Sequence, residues 1–160
     1  MRIGITGHMN LTPVTMLLVR DWFDRALADL DPADLTGVSC LAEGADAIFA
    51  AAVLDAGGRL EALLPAPDYR DTRVCEPHRP VFDALVERAH ATRYVAQSSS
   101  MQAYEDANQA MRASVDTLWA VWDGAPSPAW KQGGTADAVA AAAAAGVPVV
   151  RVWPAGAART

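Results

Sequence analysis

The stretch Thr117-Leu118-Trp119-Ala120-Val121-Trp122-Asp123-Gly124 is apolar almost throughout and then becomes polar. This pattern predicts a buried strand that ends in a polar turn. A little further on, Gly133-Gly134-Thr135 precedes an alanine-rich segment, which predicts a glycine-bearing loop that opens onto a helix. The start of a helix presents unpaired backbone N–H groups, and glycines allow a phosphate or ribose to approach them closely. We therefore expect a nucleotide to bind at this loop.

The composition of the 160-residue chain favours one globular domain. Hydrophobic residues make up 52% of the chain and charged residues 20%, which disfavours disorder, and no apolar run has the length of a membrane span. The formal net charge of −6 disfavours a general nucleic-acid-binding surface, because phosphate backbones are bound mainly by lysine and arginine. We expect a single domain over residues 1–154, a flexible tail over 155–160, a cytoplasmic location and no secretory signal.

Short apolar runs alternate with helical patterns along the whole chain. Strands are predicted over residues 2–6, 38–42, 60–64, 92–96, 117–122 and 148–153. Helices are predicted between them, except that residues 66–80 are polar and rich in proline and are expected to form a surface loop. This alternation predicts an α/β fold: a three-layer, Rossmann-like, doubly wound and mainly parallel sheet of about six strands, in the order 3-2-1-4-5-6.

In this strand order, the carboxyl ends of strands 1, 2, 4 and 5 lie side by side. Open α/β sheets bind their ligands at this edge. The polar turns expected there are Gly7-His8, Glu43-Gly44-Ala45-Asp46, Gln97-Ser98 and Asp123-Gly124. Topology therefore predicts that these turns converge on one site.

Three motifs resemble those of a known protein group. They are Gly4-Ile5-Thr6-Gly7-His8, Ser39-Cys40-Leu41-Ala42-Glu43-Gly44-Ala45-Asp46 and Gly133-Gly134-Thr135-Ala136. In this order they resemble the SLOG superfamily of Rossmann-like nucleotide binders, which includes the DNA-processing protein A core and the LOG phosphoribohydrolases. The resemblance implies a nucleotide-binding fold and a homodimer.

The chain departs from that family pattern at positions that matter for function. A basic residue is usual in the DNA-processing branch where this chain has Glu43, so single-stranded DNA is an unfavourable partner. The arginine of the LOG enzymes aligns near Ala107 or Asn108, and their glutamate aligns nearest Asp137 or Ala138. The hydrolytic pair of those enzymes is therefore not plainly present.

Each candidate site residue also has a purely structural interpretation. Asp46 either accepts ribose hydroxyls or caps its helix, and Asp123 either binds ribose or forms an Asx turn with Gly124. A loop histidine such as His8 is an acid, a base or a phosphate donor, or simply a surface group. The predicted nucleotide-binding residues are Gly7, His8, Gly44, Ala45, Asp46, Tyr104, Asn108, Asp123, Gly133, Gly134 and Thr135.

Three functions are compatible with these residues. The first is a sensor or carrier that binds a nucleotide or a nucleotide-derived molecule at the sheet edge. The second is an N-glycosidic phosphoribohydrolase that releases a base from a nucleoside monophosphate, with Asp123 or Asp137 as the catalytic carboxylate. The third is a scaffold or accessory protein of DNA processing. The spacing of Cys40, Cys75 and the histidines predicts no metal site, and no cofactor other than a nucleotide ligand is expected.

Overall fold

A computed structural model describes residues 1–131 and 133–160. The strands are β1 (Arg2–Gly7), β2 (Thr36–Ser39), β3 (Arg59–Leu64), β4 (Ala91–Tyr94), β5 (Thr117–Val121) and β6 (Val149–Val152). The α-helices are α1 (Pro13–Ala28), α2 (Ala45–Asp55), α3 (Tyr69–Thr72), α4 (Arg79–Arg88), α5 (Met101–Ser114) and α6 (Thr135–Ala144). Single turns of 3₁₀ helix cover Pro32–Asp34 and Glu76–His78.

The six strands form one parallel sheet with helices on both faces, as the sequence predicts. The predicted order of strands is wrong, because the sheet runs β4-β3-β2-β1-β5-β6. Strand β4 lies at the edge beside β3 instead of between β1 and β5. Its short, partly exposed sequence suits an edge strand. The turn at Gln97-Ser98 is therefore remote from the end of β1, and the order of strands reverses between β1 and β5.

Alternate residues of the strands pack against different helices. Ile3, Ile5, Trp119 and Val121 face α1 and α2, where Phe23 and Phe49 complete the core. On the opposite face, a second cluster consists of Val38, Cys40, Leu63, Ala107, Met111, Leu118 and Ala142, and its helical members come from α5 and α6. The two-residue period of the strands thus distributes their apolar side chains over the two faces of the sheet.

The start of α2 lies directly against the end of β1. A Cβ atom at Gly7 would collide with the Cβ of Ala45 and come within 2.8 Å of the Cβ of Val121. Gly44 has a φ of +83°, and a Cβ there would lie 2.7 Å from the carbonyl oxygen of His8. The N–H of Ala45 donates to that same carbonyl at 3.3 Å. Small residues are thus required at these positions by the packing of the backbone.

The C-terminal residues form hydrogen bonds with the loop that follows β1 and with the start of α1. The N–H of Thr12 donates to the carbonyl of Ala158, and the buried Thr15 hydroxyl exchanges hydrogen bonds with the N–H and the carbonyl of Ala158. The N–H of Thr160 donates to the carbonyl of Asn10. These contacts hold Arg159 beside the loop that follows β1.

The segment 66–80 is only partly the surface loop that the sequence predicts. It contains α3 and one turn of 3₁₀ helix, and it buries Tyr69, Val74 and His78. The Nε2 of His78 lies 3.1 Å from the carbonyl oxygen of Leu41, a residue that has a positive φ of 58°. The segment therefore contacts and stabilises the turn between β2 and α2. Within residues 1–131 and 133–160, no helix has the length and apolarity that crossing a membrane requires.

We predict opposite outcomes for two truncations in α1. Phe23 is fully buried against Phe49 and Trp119, whereas Leu17 is exposed. Phe23→Ala should lower the free energy of unfolding by about 3–5 kcal/mol, because a buried ring leaves a cavity. Leu17→Ala should change it by less than about 0.5 kcal/mol. Urea denaturation measures both values, and equal losses would contradict the assignment of the buried face.

Candidate functional site

A cleft of about 380 Å³ opens at the carboxyl edge of the sheet, above the β1–β5 junction. This is the point at which the order of strands reverses, where open α/β sheets place their ligands. Its size lies in the range of small-molecule sites. Among the predicted site residues, those that line it are Gly7, His8, Asp46, Tyr104, Asn108, Gly133, Gly134 and Thr135.

The outer end of the cleft is formed by the loop before α6 and the start of that helix. Gly133 has a φ of +76°, and Gly134 is the N-cap residue of α6. The carboxylate of Asp137 accepts a hydrogen bond from the N–H of Gly134 at 3.1 Å. Lys131 and Arg159 also line the cleft. These two cations and the positive end of the helix dipole can bind an anionic group here, beside the carboxylates of Asp137 and Asp123.

His8 connects the end of β1 to the turn that follows β5. Its Nε2 lies 3.1 Å from Oδ1 of Asp123 and 3.2 Å from the backbone N of Asp123. Its Nδ1 lies 3.5 Å from the hydroxyl of Thr135. The N–H of Asp123 donates to Nε2 when the proton of the neutral ring is on Nδ1, and Nε2 donates to Oδ1 in the other tautomer. Nδ1 is therefore a donor towards the cleft in the first tautomer and an acceptor in the second.

Burial sets the charge state of this pair. It lowers the pKa of His8 below its usual value, and the hydrogen bond to Asp123 opposes the shift only in part. Burial acts to raise the pKa of Asp123, but hydrogen bonds from the N–H of Ala125, from His8 and from Arg159 hold it below the usual range. A neutral imidazole beside an ionised carboxylate is therefore expected at neutral pH.

The inner end of the cleft contains polar side chains that are almost completely buried. Asp46, in the first turn of α2, is 8% exposed, and Tyr69 is 3% exposed. Burial raises the pKa of Asp46 to about 7, and a hydrogen bond from the backbone of Ala42 offsets this only in part. Burial also raises the pKa of Cys40 and Tyr69. Cys40 and Tyr69 are therefore neutral at neutral pH, where Asp46 is about half protonated.

Aromatic and amide groups complete this inner end. The rings of Tyr69 and Tyr104 meet edge to face, with 5.7 Å between their centroids. Tyr104 and Asn108 lie one turn apart on α5 and both line the cleft, as their spacing predicts.

Four predicted site residues are absent from the cleft wall. Gly44 and Ala45 lie behind His8 in the contact between α2 and β1. Asp123 forms an Asx turn with the N–H of Ala125, at 2.9 Å, and an ion pair with Arg159, at 3.2 Å. Asp137 caps α6 and borders a neighbouring shallow depression.

Several wall residues are absent from the set that the sequence predicts, namely Cys40, Tyr69, Ser127, Lys131 and Arg159. Tyr69 and Arg159 lie in segments that look like a loop and a tail in the sequence. Both reach the cleft through contacts between distant parts of the chain, for which the sequence carries no local signal. In the part of the chain that the structure describes, no cluster of three histidine, cysteine or acidic side chains is arranged to hold a metal ion.

Comparison with solved structures identifies the same fold in proteins of low sequence identity. DNA processing protein A from Streptococcus pneumoniae matches with a TM-score of 0.69 and 15% identity over 97% of this chain, which spans about half (51%) of that protein. DNA processing protein A from Helicobacter pylori, which binds single-stranded DNA, matches with a TM-score of 0.68 and 15% identity, covering 99% of this chain and 68% of that one. The Moco carrier protein from Chlamydomonas reinhardtii matches with a TM-score of 0.56 and 16% identity, covering 94% of this chain and 75% of that one.

These structures confirm the Rossmann-like α/β fold that the sequence predicts. No family model and no curated protein matches the sequence.

The buried carboxyl group of Asp46 predicts a specific dependence of stability on pH. Because its pKa is about 7 in the folded protein and near 4 in an unfolded chain, the folded state holds this proton more tightly. Its contribution to stability is therefore greatest at low pH and is lost as the pH rises towards 7. Asp46→Asn should match the wild type near pH 4 and exceed its free energy of unfolding by up to about 4 kcal/mol near pH 8.

Asp55→Asn is the matched control, because Asp55 lies in the same helix and hydrogen bonds from Arg20 lower its pKa. This variant should gain no stability on going to pH 8. Urea unfolding at both pH values measures the effect, and equal behaviour of the two variants would contradict a buried, uncharged Asp46.

Proposed function

We propose that the protein binds a nucleotide or a nucleotide-derived small molecule in this cleft, as a sensor or carrier. The anionic group lies at the outer end, against Gly133–Thr135 and the cations of Lys131 and Arg159. The uncharged part of the ligand extends towards Asp46 and Tyr104. The observation that carries the proposal is the pairing of a helix start and two cations with a buried polar pocket inside one cleft.

Each end of the cleft suits a different part of such a ligand. Backbone N–H groups at the start of α6 can bind phosphate oxygens. The guanidinium of Arg159 donates to Asp123 and to Asn10, and its remaining N–H groups can donate to a phosphate. The inner end offers an aromatic face, an amide and a carboxyl group, which can bind a ribose or a base. The likeness in fold to a Moco carrier protein, whose name indicates a small-molecule ligand, supports this proposal.

Single-stranded DNA is the contrasting ligand, because a protein of similar fold binds it. The net charge of −6 and the exposed Glu43 disfavour binding of a DNA strand along the protein surface. Thermal unfolding in the presence of AMP, ADP, ATP, GTP, NAD, ADP-ribose and a single-stranded oligonucleotide distinguishes the two. We expect a shift of a few degrees with a nucleotide at saturation, about 2.7 kcal/mol at one hundred times the dissociation constant. A shift with the oligonucleotide alone would contradict the proposal.

We predict that Gly134→Asp weakens nucleotide binding at least tenfold (about 1.4 kcal/mol or more). The substitution places a carboxylate where the phosphate is expected, and its Cβ would displace the hydroxyl of Ser127 in the cleft wall. Ala33→Asp adds the same charge at an exposed position outside the cleft wall and should leave the affinity unchanged. Isothermal titration of both variants, with circular dichroism as a check of folding, measures the difference. Equal affinities in two folded variants would contradict the binding of phosphate at α6.

One observation favours hydrolysis as a second function. The Nδ1 of His8 is directed towards Thr135 while Asp123 holds Nε2, which is how a histidine base is oriented. In a nucleoside monophosphate, a water molecule would lose its proton to Nδ1 and bond to the anomeric carbon. The base would leave with the electrons of the C–N bond and take up that proton.

A sensor or carrier predicts that purified protein releases no free base from AMP, GMP or CMP over hours, as measured by chromatography. Release that disappears in His8→Gln but persists in Ala33→Asp would establish the hydrolase instead. The His8→Gln variant keeps a side chain that can form hydrogen bonds but cannot act as a base at neutral pH.

A further inference from the structure

The inner end of the cleft contains a carboxyl group with no cationic partner. Asp46 is 8% exposed and lines the cleft. Its carboxyl group has a backbone hydrogen bond from Ala42, and no salt bridge to it is found among residues 1–131 and 133–160. A buried carboxylate without a cation is costly, so the group is favoured as the neutral acid. A neutral acid has an O–H to donate, which a carboxylate lacks.

We propose that this end of the cleft is a subsite for an uncharged nitrogen heterocycle such as a nucleobase, to which Asp46 donates a hydrogen bond. The acceptor is a ring nitrogen or a carbonyl oxygen of the heterocycle. Tyr104 supplies an aromatic face, and the Asn108 amide pairs with a neighbouring edge group. The inference rests on the proposed function for the class of ligand, but it does not require a phosphate at α6.

The groups that face Asp46 keep the subsite free of competing charge. Cys40 follows β2, Tyr69 comes from α3 and Tyr104 from α5, and burial raises the pKa of all three. They therefore stay neutral through the physiological range. His8, Lys131 and Arg159 line the same cleft, and burial lowers the pKa of His8, which favours its uncharged form at neutral pH. Between about pH 6.5 and 8.5, Asp46 is the group expected to change its charge.

This assignment gives a pH dependence opposite to that of ribose recognition. A carboxylate that accepts ribose hydroxyls would bind better as the pH rises and the group ionises. A neutral acid that donates to a base loses its O–H on ionisation, and the apparent affinity falls with the fraction protonated. For a pKa of about 7, affinity should fall roughly tenfold or more between about pH 6.5 and 8.5.

The probes are free adenine and cytosine, which stay uncharged over this range and carry no phosphate. Ligand-observed saturation-transfer NMR and titration should detect binding to the wild type, with the expected fall at high pH. Asp46→Asn retains an N–H donor of similar shape and should bind the bases with little dependence on pH. Asp46→Leu should lose binding altogether.

Parallel titrations with the free bases and with AMP separate this subsite from the proposed phosphate site. Ala33→Asp, at an exposed position outside the cleft wall, is the control variant and should bind the free bases with the same pH dependence as the wild type. Base binding without any nucleotide binding would refute the proposed phosphate site and leave the subsite standing. Nucleotide binding without base binding would refute the subsite and leave the proposed phosphate site standing.

A measurement on the unaltered protein guards against variants that fail to fold. Saturating adenine should raise the pKa of Asp46 in a carboxyl ¹³C NMR titration, because the ligand stabilises the protonated form. The inference is overturned by affinity that is constant or rises with pH, by adenine and cytosine both failing to bind folded wild-type protein, or by an unchanged Asp46 titration with a bound base.

Discussion

The close approach of α2 to the end of β1 is the constraint on which the site depends. Gly7 has no room for a side chain because Ala45 packs against it, and Gly44 adopts a left-handed backbone against the carbonyl of His8. The same contact turns His8 towards β5 and places Asp46 inside the cleft. A larger residue at either glycine would push α2 away from the sheet. The two ends of the cleft would then move apart.

The cleft combines two electrostatic environments in a small volume. Its outer end has the start of α6, Lys131 and Arg159, so it favours negative charge. Its inner end buries Asp46 and Tyr69, whose neutral forms are favoured by the loss of solvent. A ligand with an anionic group and a flat polar ring matches this division. The proposed function therefore rests on both ends of the cleft together.

The class of fold and the turns that lie at the sheet edge were predictable from sequence because they rest on local patterns. Alternating apolar runs predict the strands, and glycine-bearing turns predict which loops lie at the sheet edge. The position of β4 was not predictable in this way, since its order depends on which edge the short strand pairs with. Arg159 and Tyr69 were missed because hydrogen bonds and packing between distant segments bring them to the cleft. Gly44 and Ala45 looked like ligand contacts, but their size is explained by packing against β1.

The central claim is that one cleft binds both the charged and the uncharged part of a nucleotide. Backbone amide NMR of the ¹⁵N-labelled protein during a titration with AMP tests it most directly, because each N–H reports on its own position. We predict saturable shifts at Gly133–Thr135, at Asp46 and at Tyr104, with none at Ala33. Shifts confined to residues outside the cleft, or no shift at saturating AMP and ADP-ribose, would contradict the account.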